Sequence, residues 1–129
     1  MKDTETKIWE MKKKLRDFTE ERNWQEFHTP KDLAIAVSVE AAELLEHFRF
    51  RNGKKLDNYL KEEENRKEIA YEMADVLSFL VRMADEMKID IAAALKDKMD
   101  KNSKRYPIGI SSGDGWMEIK KQERRKKES

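Results

Sequence analysis

Leu33-Ala34-Ile35-Ala36-Val37-Ser38-Val39-Glu40-Ala41-Ala42-Glu43-Leu44-Leu45 is the stretch on which the fold turns. Read as part of a helix from Lys31 to Phe50, it spreads Leu33, Ile35, Val37, Val39, Leu44, Leu45, Phe48 and several alanines around almost the whole circumference. A helix apolar on every side is expected in an interior, yet two glutamates stand in the middle of this one. Thr29-Pro30-Lys31-Asp32 reads as its entry, since proline is tolerated in a first helical turn. Arg51-Asn52-Gly53-Lys54 reads as its stop.

A second segment of the same kind runs from about Glu64 to Met87, with Ile69, Met73, Val76, Leu77, Leu80 and Val81 on an extensive apolar surface. Flanking it in sequence are two more helical patterns. Ile8, Met11, Leu15 and Phe18 recur at steps of three and four between Thr6 and Glu21. The other runs from Ala92 to about Arg105 and halts before Tyr106-Pro107, because the residue preceding proline is disfavoured in helical geometry. Between the two central helices, Leu56, Tyr59 and Leu60 mark a connector with room for a short helix. The expected fold is therefore all-α and four-helix-bundle-like. Residues 1–107 form the expected domain, and 108–129 a linker and a basic, helix-prone tail.

Composition narrows the function classes. A chain of 129 residues can bury one modest core. Charged residues make up 43% of it, but 28 basic and 27 acidic groups leave a net charge of +1, so there is no global pull toward nucleic acid or membrane. Cysteine is absent, which excludes disulfides and thiolate zinc sites. No stretch reaches the length of a membrane span, and the N-terminal residues lack the apolar run of a signal peptide. A cytoplasmic location is expected.

Glu40 and Glu43, three apart, project from one face of the first central helix; Glu68, Glu72 and Asp75 share a face of the second. On a solvated face such acids pair with lysine or arginine four residues on. Here those positions hold Leu44 after Glu40, His47 after Glu43, Val76 after Glu72 and Phe79 after Asp75. Facing strips of carboxylates would need a hard divalent cation, with Mg2+ the best match and Mn2+ a substitute. A di-iron centre would require Glu-x-x-His, and neither His28 nor His47 stands three residues after a glutamate. A cation ringed by carboxylates is best shared with a polyanion, and phosphates suit it. Trp24 and Phe27 precede the first central helix, Phe50 ends it and Phe79 follows the second acidic strip, so one pocket could offer stacking surfaces, although core packing is the favoured reading of Phe27 and Phe79.

Glu40-x-x-Glu43 followed after 28 residues by Glu72-x-x-Asp75 resembles the metal motif of the MazG-like all-α NTP pyrophosphohydrolases. The stretches from Glu21 to Pro30 and from Lys98 to Pro107 resemble segments of the dCTP pyrophosphatase branch, so the likeness covers roughly Leu15 to Pro107. It implies hydrolysis of a nucleoside triphosphate, dCTP or a related dNTP, between the α and β phosphates. Glu40, Glu43, Glu72 and Asp75 would hold magnesium. Trp24 and His28 would line the base and sugar pocket, and Lys98, Asn102 and Arg105 would approach the phosphates. The family assembles as homodimers or homotetramers, and a homo-oligomer is expected here. Phe50, Phe79 and Leu15 stand where the animal dCTP enzymes carry tryptophan, tyrosine and histidine, so altered base selectivity is expected. The contrasting expectation is a non-catalytic helical assembly protein whose acidic strips make ion pairs between subunits.

Overall fold

The computed structural model describes all of Met1–Ser129 and contains helices and turns with no strand. Its α-helices are α1 (Ile8–Glu21), α2 (Pro30–Glu46), α3 (Gly53–Lys61), α4 (Glu63–Glu86), α5 (Ile91–Arg105) and α6 (Gly115–Glu128), with a single 3-10 turn at Gln25–Phe27. The four expected helices are α1, α2, α4 and α5. Two further helices, α3 and α6, occupy the stretches read as connector and tail. The chain falls into two compact units, Met1–Ile89 and Asp90–Ser129.

In the first unit, α2 and α4 form the most extensive pair, and α1 and α3 also pack on α4. Thr29 caps α2: its Oγ1 accepts from the Asp32 backbone N–H at 3.2 Å and donates to Asp32 Oδ2 at 2.7 Å, with Pro30 in the first turn. The helix ends at Glu46, a turn before the expected Phe50. Arg51 explains the early stop, because its Nη1 donates to the carbonyls of Glu46 at 3.2 Å and His47 at 2.8 Å, satisfying groups a longer helix would have used. Gly53 does not end α2. It opens α3, with φ +51.

Two non-glycine residues in left-handed conformation end helices and aim the segments that follow. Asn23 has φ +56, its N–H bonds to Glu20 O at 3.0 Å, and the N–H of Trp24 bonds to Thr19 O at 3.1 Å. This double bond back onto the last turn of α1 is a Schellman ending. It returns Trp24 toward α1, where the indole meets Phe18 edge-on at 5.9 Å. Lys88, with φ +55, ends α4 in the same manner, and Lys12 of α1 donates to the Ile89 carbonyl at 2.6 Å.

The fully buried side chains of this unit are few: Leu33, Val81, Ala84, Thr19 and Arg82. The expectation that α2 and α4 are buried all round does not hold for the single chain. Ile35 and Val39 on α2 are about half exposed, as are Met73 and Leu77 on α4. One chain covers only one side of each helix.

In the second unit, Asp90 caps α5 by accepting from Ala93 N at 2.9 Å, and α5 stops at Arg105 before Pro107, as the proline predicts. Arg105 grips Glu123 of α6 through two nitrogens, with Nε to Oε1 at 2.6 Å.

Candidate metal and nucleotide site

Helices α2 and α4 run antiparallel, as the pairs between them require. His28, just before α2, meets Arg82 late in α4, whereas Glu40 and Glu43 farther along α2 meet Glu72 early in α4. Three-residue spacing on α2 then turns two carboxylates toward one on α4. Oxygens of Glu40, Glu43 and Glu72 all lie within 4.8 Å of one another.

Neither Glu40 Oε2 nor Glu72 Oε2 has a hydrogen-bond partner, although both atoms are buried. None of Glu40, Glu43, Glu72 and Asp75 belongs to the salt bridges of the chain, which are made by other acids. The electrostatic consequence is plain. Burial, then the closeness of Glu43, with which it can share a proton, and the charges of Asp75 and Glu72 push Glu40 up to about 7. Glu72 is also raised, by burial and by Glu43 and Asp75, with His47 partly opposing. Unpaired buried carboxylates are costly, and either protonation or a cation with oxygen preference relieves them.

Asp75 stands outside that trio, on the exposed side of α4, yet near enough for its charge to act on Glu40 and Glu72. It lines a cleft of about 320 Å³ together with Leu15, Phe18, Thr19, Trp24, His28, Ser78, Phe79 and Arg82. Three of the residues expected to touch a nucleotide, Trp24, His28 and Phe79, are thus brought into one cavity, and Asp75 joins it to the acidic trio. His28 meets the Phe79 ring edge-on at 6.2 Å. Trp24 rests edge-on against Phe18, whose ring Arg22 covers at 3.6 Å while donating to the Phe18 carbonyl at 3.0 Å.

Of the other expected residues, Phe50 belongs to the first unit and Lys98, Asn102 and Arg105 to the second. Phe50 is in the turn after α2, 74% exposed, with the Arg49 guanidinium 4.8 Å from its ring, and it does not line the cleft. Lys98, Asn102 and Arg105 belong to α5 in the second unit, Lys98 exposed, Asn102 half-buried and Arg105 held by Glu123. Sequence reading missed Arg82 and Thr19, both buried and both lining the cleft. The signal for Arg82 was present: it is the one cation in the apolar run Leu77 to Ala84.

The chain is thus all-helical, with a carboxylate trio beside an aromatic cleft. Comparison with known families places it further. The model of the MazG-like family matches residues 35–114, and the chain belongs to that family. It is 34% identical over 97 residues to dCTP pyrophosphatase 1 of Rattus norvegicus, covering 75% of this chain and 57% of that protein. Against the Homo sapiens dCTP pyrophosphatase 1 it is 33% identical over 95 residues, covering 74% and 56%. The chain spans a little over half the length of these relatives. Among solved structures, a pyrophosphatase from Archaeoglobus fulgidus is 39% identical, with a TM-score of 0.71 over 78% of this chain and 92% of that one.

Proposed function

We propose that the protein is a divalent-cation-dependent nucleoside triphosphate pyrophosphohydrolase. Water attacks phosphorus, the P–O bond between the α phosphorus and the bridging oxygen or between that oxygen and the β phosphorus breaks, and the products are a nucleoside monophosphate and pyrophosphate. The observation that carries this reading is the pair of buried, partnerless oxygens of Glu40 and Glu72, in a carboxylate trio that adjoins an aromatic cleft through Asp75. The pyrophosphatase names of the relatives support it.

Glu40, Glu43, Glu72 and Asp75 would hold the cation, and an all-oxygen donor set suits Mg2+ or Mn2+. When bound, such a cation neutralises phosphate charge and acidifies water. The residues of the chain do the rest. Phe79 and Trp24 offer faces and edges to a base, and His28 offers a polar contact. Lys98, Asn102, Arg105 and Phe50 enter the proposal through the family resemblance alone. Arg105 would have to exchange Glu123 for phosphate, a change that a guanidinium makes readily since both partners suit its fork. The substrate proposed is dCTP or a related dNTP. Leu15 and Phe79 line the cleft without a polar group, so base discrimination is proposed to be looser than in an enzyme with more hydrogen bonds to the base.

The catalytic domain is proposed to comprise residues 1–107, with 108–129 as an extension, and the enzyme to work in the cytoplasm on the nucleotide pool. Self-association into a homodimer or homotetramer is part of the proposal, supported by Ile35, Val39, Met73 and Leu77, whose half-exposed side chains form apolar faces that a second copy would cover. No helix is long and apolar enough to cross a membrane.

Incubation with a panel of triphosphates and Mg2+ should yield pyrophosphate and monophosphate in equal amounts. Glu72→Gln should abolish turnover with helicity intact, since it removes a donor oxygen at nearly constant volume. Orthophosphate as product, or full activity in that variant, would refute the proposal.

A further inference from the structure

Arg82 is the most buried cation of the protein, with a side chain 4% exposed. Burying a guanidinium is expensive, and an apolar residue of similar volume commonly does as well for stability. Two carboxylates offset the charge: Nη1 donates to Asp85 Oδ2 at 3.1 Å and Nη2 lies 3.6 Å from Glu86 Oε2. Asp85 is itself fixed by Arg16 of α1, which donates to it from Nε at 2.9 Å and Nη2 at 2.6 Å. The remaining edge of Arg82 is directed to the cleft, where Nε donates to His28 Nδ1 at 3.3 Å.

That last contact decides the chemistry of His28. An arginine has donors only and does not lose its proton, so the Nδ1 it faces must carry a lone pair. A neutral imidazole with a bare Nδ1 bears its hydrogen on Nε2. Burial first, and then the Arg82 charge, hold the imidazole below its ordinary pKa and keep the ring neutral. Its free polar atom is therefore a donor and not an acceptor. Leu15, Phe18, Thr19, Trp24, Asp75, Ser78, Phe79 and Arg82 line the rest of the cleft, and the Thr19 and Ser78 hydroxyls spend their hydrogens on the carbonyls of Leu15 and Ala74.

We propose that Arg82 is a positioning residue that holds His28 as the Nε2–H tautomer, so that His28 presents an oriented hydrogen-bond donor to an acceptor on the nucleoside of the substrate. The ligand atom it selects is a carbonyl oxygen, a ring nitrogen or a sugar oxygen, and an exocyclic amine at that place is disfavoured because two donors would meet. The identity of the ligand rests on the nucleotide reading above; the link from Arg82 to His28 does not.

Long-range proton–nitrogen correlation NMR of the 15N-labelled wild-type chain tests the link, and because the sequence has two histidines, a His47→Asn variant suffices to assign His28. Near neutral pH His28 should show one tautomer, with Nε2 protonated and Nδ1 bare. An Nδ1–H form, or an even mixture, overturns the proposal without any need for a variant that perturbs the core. Arg82→Met should release the ring to a mixture, and an unchanged spectrum in that variant also overturns it.

In steady-state hydrolysis, Arg82→Met should raise KM about tenfold and leave kcat within about twofold, the signature of one lost hydrogen bond made equally in ground and transition states. In a His28→Phe background the same change should alter KM by less than about twofold, since the partner through which it acts is gone. Equal effects in both backgrounds would assign Arg82 a merely structural role and overturn the proposal. A wild-type chain with the expected tautomer but no triphosphate hydrolysis would refute the nucleotide reading and the ligand named here, while the tautomer alone decides the Arg82 to His28 link.

Discussion

Replacing Glu40 by glutamine should make the cation-free protein more stable above neutral pH while removing its response to Mg2+. The magnitude follows from the crowding of Glu40, Glu43, Glu72 and Asp75. Glu40 is pushed from an ordinary 4.5 to about 7, chiefly by burial and then by Glu43. A group whose folded pKa is raised gives stability that is fully present below the unfolded pKa and is lost as pH rises through the folded one. The loss therefore falls between about 4.5 and about 7 for this residue. Taken whole, such a shift corresponds to ~3 kcal/mol. Glu40 is only half-buried, and solvent screening brings the expected gain in the glutamine variant down to about 1–2 kcal/mol, or roughly 3–8 °C in Tm.

Thermal and urea unfolding of both proteins in EDTA, at about pH 8 and about pH 5, measures the gap, which should be open at the higher pH and nearly closed at the lower. Addition of Mg2+ at the higher pH should raise the wild-type midpoint by the linkage term for a ligand of the folded state and leave the variant nearly unmoved. A variant less stable than wild type at both pH values in EDTA would refute the reasoning, because it would mean that favourable contacts of Glu40 outweigh the cost of its burial and of the neighbouring charges.

Asp85→Ala should destabilise by about 2–4 kcal/mol in denaturant unfolding, since it leaves the buried Arg82 with Glu86 at 3.6 Å as its one carboxylate partner and strands Arg16. Because Arg16 first and foremost holds Asp85 below the usual carboxylate range, the same interaction gives stability above the unfolded pKa that is lost as pH falls through the folded one, and the cost of Asp85→Ala should shrink in acid; a cost independent of pH would count against it. Thr29→Ala should cost about 1 kcal/mol by removing the cap of α2, read from the urea midpoint at constant m. With Trp9 and Trp116 replaced by phenylalanine, the emission of Trp24 should change on addition of a triphosphate with Mg2+, and a nucleotide that binds by calorimetry without any such change would remove Trp24 from the cleft contacts.

Much of this molecule was legible in the chain itself. The dense apolar content of Leu33 to Leu45 and of Ile69 to Val81 pointed to two central helices, the three- and four-residue steps from Ile8 to Phe18 to α1, and Pro107 to the end of α5, because such signals act locally. The three-residue steps of Glu40 with Glu43 and Glu72 with Asp75 gave the acidic faces for the same reason. The stop of α2 was misread at Gly53, since the cap comes from the side chain of Arg51 folding back on Glu46 and His47, and a side chain's reach has no period.

Tertiary structure alone decided which acids meet. Antiparallel pairing of α2 with α4 brings Glu40, Glu43 and Glu72 within 4.8 Å and sets Asp75 beside them on the wall of the cleft, a distinction that depends on how two helices are rotated against each other. It alone showed what Arg82 touches, through partners on α1 and before α2 that are 69 residues from Asp85 and 54 from Arg82 in the chain. Sequence patterns report what a residue does for its own helix, and only packing shows what it does for another.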